Sequence, residues 1–119
     1  MVKHKNIKVY IAGDYSADNV LDVLKNIARG QQTAAQLFQD GFAPFTPWHD
    51  KSYVTDNPNG TYTKEMFYDA SLEWLKVSNC VYVISGQGKG GGVDAEIKVA
   101  KELGIPVFYN YHNLIRHMT

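Results

Sequence analysis

Four short apolar runs separated by helical patterns limit what this chain can fold into. IKVYIAG (7–13), GFAPFTP (41–47), NCVYVIS (79–85) and IPVFYN (105–110) are β-branched or aromatic and end in turn residues, so each reads as a buried strand. The first helical pattern runs from about Asp18 to Gln39, with Val20, Leu24, Ile27, Ala34 and Phe38 on one stripe and Asp18 as the expected N-cap. The second spans about Thr63 to Val77 and the third about Gly92 to Leu103. Strand alternating with helix implies a parallel sheet with right-handed crossovers, a three-layer α/β domain. Ligands of such sheets bind at the carboxyl ends of the strands. Those ends carry GDYS (13–16), TPWHDKSY (46–53), GQGKGGG (86–92) and NYHN (110–113). The second belongs to a long polar connection, TPWHDKSYVTDNPNGTY, which reads as a lid or binding loop or as a disordered linker.

With 119 residues the chain fits one domain, 1–119, with a modest core. Twelve basic and twelve acidic side chains cancel, which argues against a duplex-binding or anionic-membrane surface, so no nucleic acid and no membrane is expected as partner. No apolar run approaches the roughly 18 residues of a spanning helix, and the start MVKHKN is too polar for a signal peptide. A soluble, cytoplasmic protein is expected. Cys80, inside an apolar run, reads as a buried hydrophobe rather than a catalytic thiol. His4 and His117 read as terminal surface residues, His49 and His112 lack the spacing of a metal site, and neither metal nor cofactor is expected.

The glycine-dense turn SGQGKGGGVDAEIKVAKELG (85–104) is the most unusual segment. Gly86, Gly88 and Gly91 satisfy G-x-G-x-x-G, yet no acid follows in FYNYHN to hold a ribose, and Gly90 stands where a Walker loop needs Ser or Thr. What remains is a helix N-terminus able to receive an anion, or a flexible turn. In the helix behind it, Val93, Ile97, Val99, Ala100 and Leu103 define an apolar arc, and Glu96 falls inside that arc. Asp94, Lys98, Lys101 and Glu102 fall on the solvated face. A core-facing carboxylate has either a task or a set of neighbouring backbone donors to satisfy. Its position near the helix N-terminus predicts the ionised form, suited to a nucleophile.

YIAGDYS, GFAPFTPWH, DASLEWLKVSNCVYVISG and GGGVDAEIKVAKELGIPVFY together resemble the nucleoside 2-deoxyribosyltransferase superfamily, including its nucleoside 5′-monophosphate N-glycosidase branch. The resemblance implies a flavodoxin- or Rossmann-like fold with a small parallel sheet of four to five strands. It also implies Glu96 as the nucleophile at C1′, Tyr10 as the aromatic beside it, and Asp69 as an orienting acid. Gly90 stands where many transferases have an aspartate that contacts the base, a departure that leans toward nucleotide hydrolysis. Asn79 replaces a frequent aspartate at the start of the third strand.

Cleaving an N-glycoside builds positive charge at C1′, which an ionised carboxylate stabilises and then captures. Asp94, Asp69 and His49 are candidates to protonate the leaving base. Trp48 and Tyr53 either stack on the base or pack in core and lid, packing being the favoured reading for Trp48. Gly13, Asp14, Ser16, Ser85, Lys89, Gly90, Gly91 and Gly92, with Arg29 nearby, are expected to hold the sugar and a 5′-phosphate. In the helix 63–77, Phe67, Tyr68, Ala70, Leu72, Trp74, Leu75 and Val77 cover an arc of about 240°, which predicts a homodimer or larger homo-oligomer. A non-catalytic nucleotide sensor of the same fold is the alternative to an enzyme.

Overall fold

Strand β1, Lys8–Ala12, is the spine of the sheet, and Val9, Tyr10, Ile11 and Ala12 are fully buried. In the computed structural model, which describes residues 6–119, β1 is flanked by β2 (Ala43–Phe45) and β3 (Cys80–Val83), with β4 (Val107–Phe108) outside β3. All pairings are parallel, in the order β2-β1-β3-β4, and Tyr10 lies level with Phe45 on one side and Val81 on the other. A parallel strand covered on both faces has no solvent side, which is why β1 reads as a continuous apolar run. His4 lies outside the described residues.

Alternation along β1 divides the core. Val9 and Ile11 join Leu37 of α1 (Val20–Gln39) and Leu114 of α5 (Tyr111–Met118) on one face. Tyr10 and Ala12 join Leu75 of α3 (Lys64–Lys76) and Val93, Ile97 and Ala100 of α4 (Gly92–Glu102) on the other. The expected three-layer α/β architecture with four strands is therefore what forms. Buried Cys80 is part of the first cluster, and burial pushes its thiol up to about 12, a value that keeps it protonated.

Several local expectations are corrected. The N-cap of α1 is Asn19, whose side chain accepts from the Asp22 amide at 2.9 Å, in place of Asp18. Val20, Leu24 and Phe38 are exposed, and the buried positions are Gly30 and Leu37, with Ile27 and Ala34 packed beside them. Successive helical residues point about 100° apart, so Leu37 near the end of α1 is fully buried while its neighbour Phe38 is turned out to solvent. Leu103, placed in the apolar arc of α4, is likewise exposed just past its end. NYHN is not a loop: Asn110 caps α5 by accepting from the Asn113 amide at 2.8 Å, and exposed His117 stacks on Phe108 from that helix.

The long second connection is built rather than linker-like. It contains a 3-10 helix, Pro47–Ser52, and the short α2, Tyr53–Asp56, and the Tyr62 hydroxyl reaches the carbonyls of Tyr53 and Asn57 at 2.9 and 2.6 Å. Trp48, only 4% exposed, lies across the middle of α1, where a Cβ on Gly30 would fall inside the indole ring. A glycine in mid-helix costs about 1 kcal/mol relative to alanine, and here it admits the largest side chain of the core. Among the described residues no helix is long and apolar enough to cross a membrane.

Candidate active site

Tyr10 and Glu96 meet behind the carboxyl ends of β1 and β3. The fifth residue of α4 faces the sheet, so Glu96 is only 8% exposed, as the helical projection requires. The Tyr10 hydroxyl donates to Glu96 Oε2. Burial raises the Glu96 carboxyl from its ordinary 4.5 to about 7, against the opposing pull of that hydrogen bond. Desolvation thus outweighs the helix N-terminus that was expected to keep the group ionised. Burial, then the charge of Glu96, pushes the Tyr10 phenol far upward, so it remains a donor.

Two α3 residues missed from sequence complete the surroundings. Ser71 is buried on the same side of the sheet, and its hydroxyl pulls the proton affinity of the Tyr10 phenol down. Tyr68 is half-buried, and its phenol is raised by burial, by Glu96 and by Asp69. Asp69 itself is exposed, and the α3 groups that act on the pair are Tyr68 and Ser71. The signal was present: Ser71 lies one turn before the buried Leu75, a polar residue on an apolar stripe, as Glu96 is on its own helix. An aromatic row continues outward. Tyr10 stacks on Phe45 (centroids 5.6 Å) and Phe45 on Trp74 (5.6 Å), while His49 meets the Phe45 ring edge-on at 5.1 Å. His49 donates through Nδ1 to the Thr46 carbonyl at 2.7 Å, and its Nε2 faces the Tyr53 hydroxyl at 3.4 Å. Trp48 is enclosed in the core against Gly30 and presents no face to this edge.

The glycine loop departs from its expected role. Asp94 Oδ1 accepts from the Gly88 amide at 2.7 Å and Oδ2 from the Gly90 amide at 2.6 Å, and these bonds hold its carboxyl below the usual range. The amides expected to receive an anion already hold one, and a carboxylate so stabilised is a poor proton donor. Gly91 caps α4 without a side-chain bond, and around Gly91 and Gly92 a side chain would meet nothing.

On the α1 side of the same edge lies an open groove of about 460 Å³. It brings together Asp14, Ser16, Ser85 and Lys89 with Lys25, Asn26 and Arg29 of α1. Lys89 pairs with Asp14 at 2.8 Å, and the Asp14 amide donates to Ser85 Oγ at 3.0 Å. A Cβ at Gly13 would sit 2.7 Å from Ile84 and 3.2 Å from Ser85 Oγ, so the glycine lets β1 close onto the end of β3. The groove is linked to the Glu96 side through Gly86, wedged between Asp14 and Val93.

Comparison with known proteins agrees with this geometry at the level of fold. No curated protein matches the sequence. A solved 2-deoxyribosyltransferase from the psychrotolerant bacterium Bacillus psychrosaccharolyticus superposes with a TM-score of 0.59 at 22% identity, covering 84% of this chain and 69% of that one. A conserved protein from Enterococcus faecalis V583 gives a TM-score of 0.59 at 23% identity, and the match covers 85% of this chain and 60% of that one. The α/β fold, a parallel sheet with helices packed around it, is thus similar to that of a deoxyribosyltransferase. At the level of sequence, residues 7–110 match one family model, and the chain belongs to that family, described as a domain of unknown function (DUF7768).

Proposed function

We propose that this protein cleaves the N-glycosidic bond of a nucleoside-type substrate through a covalent glycosyl-Glu96 intermediate. The observation that carries the reading is the buried Tyr10–Glu96 pair behind the strand ends: a carboxylate with one fixed donor and one oxygen left for C1′. As the C1′–N bond breaks, positive charge gathers at C1′, and Glu96 stabilises it and closes to an ester. Water attacking C1′ then releases the sugar and returns Glu96. A second base attacking there gives transfer, the activity named for the Bacillus neighbour.

The favoured substrate form is a 5′-monophosphate. Its phosphate lies in the groove by Ser16, Ser85, Arg29 and Lys89, not on the Gly88 and Gly90 amides that Asp94 holds. Each charge-assisted hydrogen bond to phosphate contributes about 1.5–3 kcal/mol, so loss of two should lower kcat/KM at least a hundredfold. The α3 face also exposes Met66, Trp74 and Val77. A second copy of the chain covers that face, next to the Phe45–Tyr10 row.

Mass spectrometry after incubation with matched nucleosides and monophosphates tests the reading. Free base, sugar phosphate and an adduct on the Glu96 peptide are expected, whereas intact retained nucleotide would identify a sensor instead. Light scattering should give at least twice 13.4 kDa, and a clean monomer would exclude the assembly.

A further inference from the structure

We infer that the preferred substrates are N-glycosides whose base already carries a positive charge, the ribosyl pyridinium class typified by nicotinamide mononucleotide. The inference rests on Glu96 being the nucleophile. It follows from what each acidic group near the site is already doing.

Breaking C1′–N leaves the electron pair on the departing nitrogen. A neutral purine or pyrimidine then leaves as an anion unless an acid delivers a proton in the transition state. The three groups expected to do so are engaged or misplaced. Both oxygens of Asp94 accept from loop amides, which hold it ionised. His49 donates to the Thr46 carbonyl, and its other nitrogen faces the Tyr53 hydroxyl. Asp69 is exposed on α3, and Asp14 is paired with Lys89 in the groove beyond β1. The hydrogen-bond partner of Glu96 is the Tyr10 hydroxyl from β1, the Tyr68 phenol from α3 feels its charge, and the buried cluster of which Tyr10 is part, with Leu75, Val81, Val83, Val93, Ile97 and Ala100 of the sheet, α3 and α4, is apolar. A phenol whose ionisation is opposed both by burial and by the adjacent Glu96 is a poor acid.

A pyridinium leaving group removes the requirement. In the first step the C1′–N bond breaks, its electron pair neutralises the ring nitrogen, and Glu96 bonds to C1′, with no proton moved. In the second, water oxygen bonds to C1′, the ester C–O bond breaks, and the water's proton passes to solvent. The sum is ribosyl pyridinium plus water giving sugar, neutral pyridine and one proton. The surroundings suit a cation as well. The charges of both Glu96 and Asp69 act on the Tyr68 ring, and exposed Trp74, at the outer end of the Tyr10–Phe45–Trp74 row, offers a further π face.

The test compares the full chain acting on nicotinamide mononucleotide, on its dihydro form (a neutral ring of the same shape), and on CMP, dCMP, GMP and dGMP. We expect kcat/KM for the pyridinium nucleotide at least 100-fold above every neutral one, no release from the dihydro form, and loss of release in Glu96→Gln. The pH profile for the pyridinium substrate should rise to a plateau without a descending limb up to about pH 9, because no acid is needed. Neutral nucleotides cleaved equally well in a Glu96-dependent way, or a bell-shaped profile with the pyridinium substrate, would overturn the inference and leave the Glu96 reading standing. No base released from any substrate by folded protein, with no adduct on Glu96, would overturn both.

Discussion

Asp94 and Glu96 stand two residues apart at the start of one helix, and their surroundings drive them in opposite directions. Asp94 turns out to the glycine loop, where amides of Gly88 and Gly90 hold its charge and lower its pKa. Glu96 turns in to the sheet, where burial raises it to about 7 with one phenol as donor. Both share the dipole of α4, so that dipole does not decide the outcome; desolvation and the number of donors do. The outward carboxylate is spent on holding the chain together. The inward one is left desolvated with a single donor, which suits a nucleophile.

Removing the inward charge is the largest perturbation available. Glu96→Gln keeps the shape but cannot form the ester, and base release should fall at least about 10³-fold. The same change should stabilise the fold at neutral and alkaline pH. The folded value of Glu96 lies above its unfolded one, so between about 4.5 and 7 the native state keeps a proton that the unfolded chain has released, and stability falls as pH rises through that window. Above it the buried charge costs on the order of 3 kcal/mol. Urea midpoints at pH 8 should therefore favour the variant, while those near pH 4.5 should coincide. A variant less stable than the parent at pH 8 would mean Glu96 is well solvated.

Tyr10→Phe is the intermediate case. It removes the one donor that pulls the Glu96 pKa down, so the ascending limb of the pH–rate profile should move about one unit toward alkaline pH. Activity at pH 7 should drop about fivefold and recover largely by pH 9. An unshifted limb with uniformly lower rate would assign Tyr10 to substrate contact alone.

What was legible in the sequence follows the strength of the periodic signal. The β-α alternation predicts the layers because both faces of β1 must be covered, and the α4 projection finds Glu96 because a carboxylate inside an apolar arc is conspicuous. Ser71 carries the same signature more quietly, since a serine on a buried stripe looks ordinary. The eight-residue α5 was missed because NYHN looks like a turn until Asn110 is recognised as a cap. The bonds from Asp94 back to Gly88 and Gly90 run opposite to the direction in which the loop was read, as a receptor awaiting an external anion.

The smallest expected effect belongs to the outward member of the pair. Asp94→Asn keeps one acceptor oxygen and replaces the other with a donor, so one of the two loop bonds should survive and the loop should loosen without unfolding. Chemistry at C1′ should change less than tenfold, since Asp94 touches none of the groups around Glu96. Its pH signature is opposite to that of Glu96: a carboxyl lowered on folding stabilises the protein above its unfolded pKa, and that contribution is lost as pH falls through the lower folded value. The parent should therefore lose stability on acidification below about pH 4 more steeply than Asp94→Asn, while the two coincide in slope between pH 5 and 8. Amide exchange at Gly88 and Gly90 should accelerate in the variant and remain unchanged along β1. A hundredfold loss of base release with a normal loop would make Asp94 the missing acid, and the contrast between the two carboxylates would become a division of catalytic labour.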